Sequence, residues 1–108
     1  MQHRSLGSQG LRVSALGLGT MGMTMAYGPS DPDEGAATIR RAHKLGIDFF
    51  DTAEFYGGGT GASESLLGSA VKDFRDEVIL ATKFGWDMTV QLPDIGFNSS
   101  PENIRKGC

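Results

Sequence analysis

The segment Ile-Asp-Phe-Phe-Asp-Thr (residues 47–52) decides the fold, because it is a short apolar run that ends on an acidic residue between two helical patterns. It follows Gly46 and leads into the glycine-rich loop Gly-Gly-Gly-Thr-Gly (residues 57–61). A short apolar run bounded by such turn residues is typical of a strand. The sequence therefore predicts a central strand with a helix on either side of it along the chain.

Two amphipathic helices flank this strand. Asp31 as cap, Pro32 in the first turn and Glu34 at capping-box spacing predict the start of the first helix, and Gly46 predicts its end. We expect its buried face to carry Ala36, Ile39, Ala42 and Leu45. The second helix is predicted to start near Ser63 and to bury Leu66, Leu67, Ala70 and Val71.

The alternation of strand and helix continues in both directions. Residues 1–14 have the pattern of a hairpin, residues 15–19 form a short strand, and residues 78–82 form a strand that we expect to be buried on both faces. Repeats of roughly 30 residues are typical of βαβ units and predict a parallel sheet covered by helices. A third helix begins at Pro101, and we expect it to be cut short at Cys108.

The composition limits the classes of protein to which the chain can belong. With 108 residues, 39% hydrophobic and 21% charged, it has the size and content of one folded domain. A net charge of −3 argues against a nucleic-acid partner, and the longest aliphatic run is too short to cross a membrane. The single cysteine and the absence of a signal-peptide core predict a cytoplasmic location.

One glycine motif near the N-terminus invites a dinucleotide-binding interpretation. Gly17, Gly19 and Gly22 match G-x-G-x-x-G after a strand. A Rossmann loop needs a helix that opens at the third glycine, whereas Gly28 and Pro29 interrupt the chain and the helix begins only at Pro32. We therefore favour a strand end made of small residues, which lets another group approach the backbone closely.

Three polar residues fall where a (β/α) barrel carries its function, at and just beyond the C-terminal ends of strands. Asp51 ends the second predicted strand of the alternating part, Lys83 ends the third, and Tyr56 lies in the loop after Asp51. If the neighbouring parallel strands are in register, Asp51 and Lys83 are adjacent, and Tyr56 can fold over them.

These three residue types together can protonate a carbonyl oxygen. A free tyrosine has a pKa of about 10, and a neighbouring ammonium lowers a tyrosine pKa by favouring the phenolate. A carboxylate behind the lysine keeps the lysine charged and aimed, so that the tyrosine becomes a general acid. Taken singly, Asp51 and Lys83 could form an ordinary ion pair at the rim, and Tyr56 could pack on the sheet.

Taken together, the motifs resemble the aldo-keto reductase family. The match covers essentially the whole chain, with the sequences around Asp51 and Tyr56, around Lys83, along the first strand and at the second and third helices. The resemblance implies a (β/α)8 TIM barrel that binds NADP (NADPH) without a Rossmann domain, with residues 1–14 closing the bottom and residues 15–108 forming the first three βα units.

The resemblance also implies roles for individual residues. Tyr56 would be the general acid, Lys83 would lower its pKa, and Asp51 would pair with the lysine. Cofactor-binding positions would be Gly19, Thr20, Met21 and Asp51. Tyr27 and Trp86 fall in loops that help to line the substrate pocket, although ordinary packing or a solvent-facing ring would explain them equally well.

The chain departs from the family pattern at one catalytic position. The family uses a histidine at the end of the fourth strand, whereas His3 lies in the hairpin and His43 within the first helix. Since a barrel has eight units of about 31 residues, this chain has room for three. We expect this chain to be the N-terminal part of a reductase that converts aldehydes or ketones to alcohols. We also expect the 108-residue chain to be inactive by itself.

The alternatives are a non-catalytic truncated fragment or a binding module that resembles a channel subunit. The expected binding partner is a small-molecule carbonyl substrate. We expect the chain to bind neither a nucleic acid nor a membrane. Open strand edges also predict self-association of the short chain.

Overall fold

The computed structural model describes residues 1–90 and 93–107, which form a two-stranded hairpin and a three-stranded parallel sheet covered by helices. The strands are β1 (His3–Ser5), β2 (Arg12–Ser14), β3 (Leu18–Gly19), β4 (Phe49–Asp51) and β5 (Ile79–Ala81). The α-helices are α1 (Pro32–Lys44), α2 (Ala62–Val71) and α3 (Pro101–Gly107), and there are two 3-10 helices, Met21–Met23 and Lys72–Glu77. The predicted alternation of strand and helix is confirmed.

The parallel sheet has the order β3-β4-β5, so that β4 is central. Gly19 is paired in register with Asp51, and Asp51 with Ala81. The C-terminal ends of the three strands therefore meet at one edge of the sheet, as the site prediction requires.

The core lies between one face of this sheet and helices α1 and α2. Phe50 from β4 and Ile39 from α1 are fully buried, and they are joined in one apolar cluster by Ala42, Leu67, Ala70, Val71 and Val78. The prediction that Leu45 belongs to the buried face of α1 is wrong, because its side chain is 56% exposed. It caps the C-terminus, where the backbone leaves the helical conformation (φ −87°, ψ 1°), so that its side chain no longer follows the helical face.

The helix starts follow the sequence signals. The Asp31 carboxylate accepts a hydrogen bond from the Asp33 N–H at 2.8 Å, and Pro32 occupies the first turn of α1. At α3 the Ser100 hydroxyl accepts a hydrogen bond from the Asn103 N–H at 3.3 Å. Because both caps precede a proline, each helix begins at the predicted position.

Strand β5 is less buried than its sequence predicts. Val78 is buried, but Ile79–Ala81 are only half-buried. Within the ranges that the structure describes, β5 pairs with β4 alone, so that its other edge and one of its faces lack a covering element. The expectation of a strand buried on both faces is therefore wrong for this chain.

The hairpin is attached at the N-terminal end of β4. The Asp48 carboxylate accepts a hydrogen bond from the Ser14 N–H at 2.6 Å and lies 2.6 Å from Nε2 of His3. Burial raises the pKa of Asp48, but the hydrogen bonds from Ser14 and His3 outweigh that effect and hold it below its ordinary value. The hairpin is thus fixed at the end of the sheet opposite to Asp51.

The glycine motif does not open an α-helix. Gly22 lies within the single 3-10 turn Met21–Met23, and α1 begins only at Pro32. A Cβ on Gly17 would lie 2.9 Å from the ring of Phe49, so this position needs a glycine because the aromatic ring approaches the backbone. The interpretation as a strand end of small residues is confirmed.

Candidate active site

The C-terminal edge of the parallel sheet positions the predicted catalytic residues. Asp51 is the last residue of β4, and Lys83 follows β5 by two residues. Backbone hydrogen bonds extend the pairing beyond the strands, since the Thr52 N–H donates to the Ala81 carbonyl at 2.8 Å and the Glu54 N–H donates to the Lys83 carbonyl at 3.1 Å. The two segments that carry the site are therefore fixed to each other.

The Lys83 ammonium joins the predicted residues. Its Nζ donates hydrogen bonds to Asp51 Oδ1 at 2.5 Å, to the Thr52 carbonyl at 2.9 Å and to the Tyr56 hydroxyl at 3.1 Å. An ammonium has three N–H donors, and these three contacts match that number. The same Nζ lies 4.9 Å from the centre of the Tyr56 ring. The structure thus brings together the three side chains that the sequence singled out.

The electrostatics keep the lysine charged. Partial burial lowers the pKa of Lys83, but its hydrogen bonds to Asp51 and Tyr56 and their charges outweigh that effect and raise it above its ordinary value. The side chains of Lys83 and Asp51 are 49% and 42% exposed. A small molecule in solvent can therefore reach the group.

The glycine-rich loop sets the position of Tyr56. The Tyr56 N–H donates to the Ala53 carbonyl at 3.1 Å, which makes a turn directly after β4. Gly57, Gly58 and Gly59 all have positive φ, a conformation that other residues rarely adopt. A Cβ on Gly57 would also lie 2.9 Å from that of Ala62. The loop can therefore turn back sharply into α2 only because its residues are glycines.

Three buried hydroxyl groups lie next to Asp51, and sequence reasoning singled out Thr20 among them but missed Thr52 and Ser63. The Ser63 hydroxyl is 2.8 Å from that of Thr20 and accepts a hydrogen bond from that of Thr52 at 3.1 Å. The Thr20 backbone N–H and hydroxyl both donate to the Asp51 carbonyl. Their only signal in the sequence was a small polar residue beside each motif. This cluster ties β3, β4 and the start of α2 together.

Thr20, one of the predicted cofactor positions, is buried in this structure and has no exposed surface. Gly19 is exposed and Met21 is half-buried, so these neighbours remain accessible at the end of β3. The Thr20 hydroxyl contacts Ser63 and Asp51, and its place among the cofactor-binding residues remains a prediction.

Glu54 was also missed, although it lies between two predicted site residues. Its Oε1 accepts hydrogen bonds from the backbone N–H groups of Gly85 at 2.9 Å and Trp86 at 3.1 Å. In the sequence it is an acidic residue in a loop, which is more often solvated. Only the approach of the segment after β5 gives this carboxylate its partners.

The two aromatic residues predicted for the substrate pocket differ in their surroundings. Trp86 is half-buried; its ring stacks on that of Phe55 and contacts the tilted ring of Phe97, with a centroid distance of 4.5 Å in both pairs. Tyr27 is 80% exposed, and its ring lies against the backbone at Gly22. Trp86 follows Lys83 by three residues, and its backbone N–H donates to Glu54, two residues before Tyr56. The described residues show no contact between Tyr27 and Asp51, Tyr56 or Lys83.

Neither histidine belongs to this site. His3 pairs with Asp48 at the opposite end of β4, and His43 stacks on Phe74 at 3.9 Å and lies 3.1 Å from Glu77. Both placements agree with the sequence prediction. Within residues 1–90 and 93–107 there is no cluster of three side chains suited to a metal ion.

Two surface cavities lie away from the lysine. One, of about 250 Å³, is next to the start of α1, and the other, of about 420 Å³, is an apolar groove along α1 and the edge of β3. Neither is lined by Asp51, Tyr56 or Lys83. The side chains of Lys83 and Asp51 lie partly exposed at the rim of the sheet. None of the helices in the described ranges has the length and apolarity that crossing a membrane requires.

Comparison with known proteins identifies the family to which this geometry corresponds. The sequence profile of the Aldo/keto reductase family matches residues 15–108. The chain belongs to the aldo/keto reductase family. It is therefore related to oxidoreductases, and its fold is that of the N-terminal part of the family's barrel.

Relatives support the assignment over nearly the whole chain. Probable aldo-keto reductase 1 from Glycine max is 43% identical over 110 residues, and L-galactose dehydrogenase from Arabidopsis thaliana is 42% identical over 106 residues. These alignments cover 100% and 95% of this chain, but it spans only about 31% of each relative's length.

Solved structures of the family have the same fold. The holo form of aldo-keto reductase AKR11C1 from Bacillus halodurans superposes with a TM-score of 0.82 at 30% identity, over 98% of this chain and 33% of that one. Glycerol dehydrogenase AKR11B4 from Gluconobacter oxydans superposes with a TM-score of 0.75 at 30% identity. The match covers 96% of this chain and 32% of that one. The predicted fold class is confirmed.

The residues at the rim fit a nicotinamide cofactor, which the family generally uses. Gly19 is exposed, and the space that a Cβ would occupy there has no neighbour within 4 Å. It is paired in register with Asp51, whose half-exposed carboxylate can accept a hydrogen bond. A flat ring can therefore approach the backbone beside the lysine without meeting a side chain at Gly19.

Proposed function

We propose that this chain carries the proton-donating part of an NADPH-dependent reductase that converts aldehydes or ketones to alcohols. The observation that supports this proposal best is the position of Lys83 Nζ, which is hydrogen-bonded to both Asp51 Oδ1 and the Tyr56 hydroxyl. Family membership supports the class of reaction. The carbonyl substrate and the preference for NADPH are proposals for the protein as a whole.

Tyr56 is the proton donor in this mechanism. Its oxygen accepts a hydrogen bond from Lys83, so the phenolic hydrogen is directed to another acceptor, and the substrate's carbonyl oxygen takes that place. As the proton leaves, negative charge develops on the Tyr56 oxygen, and the ammonium 3.1 Å away stabilises it. Asp51 holds the ammonium in position through its carboxylate.

Gly19, Met21 and Asp51 are the residues of this chain that would hold the cofactor. Bound NADPH supplies a hydride for the carbonyl carbon. Trp86 and Tyr27 remain our candidates for the wall of the substrate pocket. Trp86 is better placed, because it stacks on Phe55, the neighbour of Tyr56, and its backbone N–H donates to Glu54. We also propose a cytoplasmic location, since the sequence has a single cysteine.

A second candidate is a non-catalytic product, either a truncated fragment or a binding module resembling a channel subunit. One observation favours it: both histidines of the chain lie away from the lysine. In that case the trio would be intact but would not turn over a carbonyl substrate.

A chimaera separates the two candidates. Residues 1–108 would replace the matching 110-residue segment of the Glycine max relative, and oxidation of NADPH and of NADH would be followed with a panel of aldehydes and ketones. We expect turnover with NADPH that Tyr56→Phe abolishes, with the unmodified relative as control. A folded chimaera that binds NADPH but reduces no carbonyl compound would favour the non-catalytic candidate.

A further inference from the structure

We propose that Glu54 is a positioning residue that holds Lys83 at the correct distance from Tyr56. This inference rests on the proposed function, in which Lys83 acts on Tyr56. Glu54 lies between Asp51 and Tyr56 in the sequence, and all of its described hydrogen bonds go to the segment after β5 that carries Lys83.

Three hydrogen bonds join Glu54 to that segment. Its backbone N–H donates to the Lys83 carbonyl, and its Oε1 accepts from the N–H groups of Gly85 and Trp86. Two backbone donors on one carboxylate oxygen are charge-assisted and directional, so they restrain the segment more strongly than neutral contacts would. The residues on either side of Phe84 are thus bound to the loop that carries Tyr56.

The segment needs such a restraint because it follows an edge strand. After Ala81 the ladder of β5 ends, and Gly85 has a φ of +110°, where the chain bends sharply. Lys83 and Phe84 are exposed, so packing does little to fix this stretch. The Asn98 N–H and the Asn103 side chain also hold the bend, through the carbonyls of Gly85 and Trp86. Glu54 differs from them because it joins the bend to the loop that carries Tyr56, and so fixes the backbone from which the Lys83 side chain extends.

Removal of the Glu54 carboxylate would lower the rate of the reaction indirectly, by letting Lys83 move. A freed segment lets Lys83 Nζ move from the Tyr56 hydroxyl, and misplacement of a reacting group by about 1 Å can cost about 100-fold in rate. Glu54→Gln keeps an oxygen that can accept the same two N–H groups, whereas Glu54→Ala keeps none. The pair therefore separates positioning by hydrogen bonds from a need for negative charge.

Kinetics of the chimaera provide the first readout. In Glu54→Ala we expect kcat to fall about 10- to 100-fold with little change in the KM for NADPH, and the pH–rate profile to shift in the same direction as in Lys83→Met. Glu54→Gln should recover most of the lost kcat. The matched control is Glu102→Ala, which removes an 81% exposed carboxylate paired only with Lys106 and should leave kcat unchanged.

Fluorescence of the 108-residue chain gives a readout that needs no activity. Trp86 is its only tryptophan, and its N–H is one of the two groups that Glu54 binds. We expect Glu54→Ala to shift Trp86 emission to longer wavelength and to increase quenching by acrylamide, and Glu54→Gln and Glu102→Ala to leave both unchanged.

The two readouts distinguish the possible failures. If the wild-type chimaera is inactive or Tyr56→Phe retains full turnover, the proposed function fails, and the emission of Trp86 still judges whether Glu54 anchors the segment. Unchanged emission in Glu54→Ala overturns the proposal. It is also overturned if Glu54→Ala keeps wild-type kcat in an active chimaera, or if Glu54→Gln loses as much kcat as Glu54→Ala.

Discussion

Lys83 Nζ lies 3.1 Å from the Tyr56 hydroxyl oxygen, although the two residues are 27 positions apart in the sequence. Each belongs to a different loop at the C-terminal edge of the sheet, and the pairing of β4 with β5 brings the loops together. The contact therefore depends on strand register, since a slip of one residue would turn Asp51 to the other face of the sheet.

Tyr56→Phe tests the general acid. It removes one oxygen and leaves the ring that Lys83 faces, so the fold and cofactor binding should change little. In the chimaera we expect kcat to fall by about 10²- to 10⁴-fold, the usual contribution of general acid catalysis. Steady-state kinetics and NADPH fluorescence titration measure the two effects, and wild-type turnover would place the acid elsewhere.

Lys83→Met tests the electrostatic role of the lysine. The substitution removes the ammonium that stabilises the negative charge on the Tyr56 oxygen as the proton leaves. Turnover should therefore drop by roughly 10²-fold. The pH–rate profile of the residual activity should move to higher pH. Lys83→Arg is the matched control because it keeps the charge and should retain part of the activity. A profile that stays in place in Lys83→Met would argue against this role.

Asp51→Asn tests the residue that holds the lysine. The amide keeps the shape and an oxygen that can accept from Lys83 Nζ, but it removes the charge that helps to fix the ammonium. We expect a milder loss than in Lys83→Met, on the order of ten-fold in kcat. Measurement under identical conditions ranks the two variants, and a larger loss in Asp51→Asn would show that the carboxylate acts directly.

The Asp48 carboxylate predicts a dependence of stability on pH. Its pKa is lowered in the folded chain, so its contribution to the free energy of unfolding is complete above its unfolded value of about 3.8. That contribution is lost as the pH falls through the lower folded pKa. Urea unfolding of the 108-residue chain at pH 7 and pH 3, followed by Trp86 fluorescence, measures the change.

Asp48→Asn should therefore destabilise the chain at pH 7 and should reduce the difference between pH 7 and pH 3. Asp76→Asn is the matched control, because Asp76 is exposed and has no hydrogen bond of its side chain among the described residues. An equal loss at both pH values would contradict the assigned role of Asp48.

The isolated chain should associate with itself and should bind NADPH weakly. Among the residues that the structure describes, β3 and β5 each pair with β4 alone, which leaves two strand edges open. Several large apolar side chains are also exposed, among them Leu16, Leu45 and Phe84. Size-exclusion chromatography with a fluorescence titration of NADPH tests this, and a sharp monomer peak with tight binding would be contrary to it.

The sequence by itself determined the order and type of the elements. Asp31 with Pro32 and Ser100 with Pro101 mark the helix starts, because a capping oxygen and a fixed proline φ act within a few residues of the chain. The motifs around Asp51, Tyr56 and Lys83 likewise predicted the site, since their residue types suit one chemistry. The exposed Leu45 shows the limit of this local information: Gly46 marks the end of α1, but helical periodicity still places Leu45, the cap residue before it, on the buried face.

Only the tertiary structure decided which polar groups are buried and which are free to act. Thr20 and Glu54 gain their partners only through the assembled sheet: the Thr20 hydroxyl contacts Ser63 and Asp51, and the Glu54 carboxylate accepts from the N–H groups of Gly85 and Trp86. These partners are distant in the chain, and a hydrogen bond forms only between groups that the fold brings to within about 3 Å. Sequence patterns report local preference, whereas the burial and pairing of a side chain depend on the register and packing of the whole sheet.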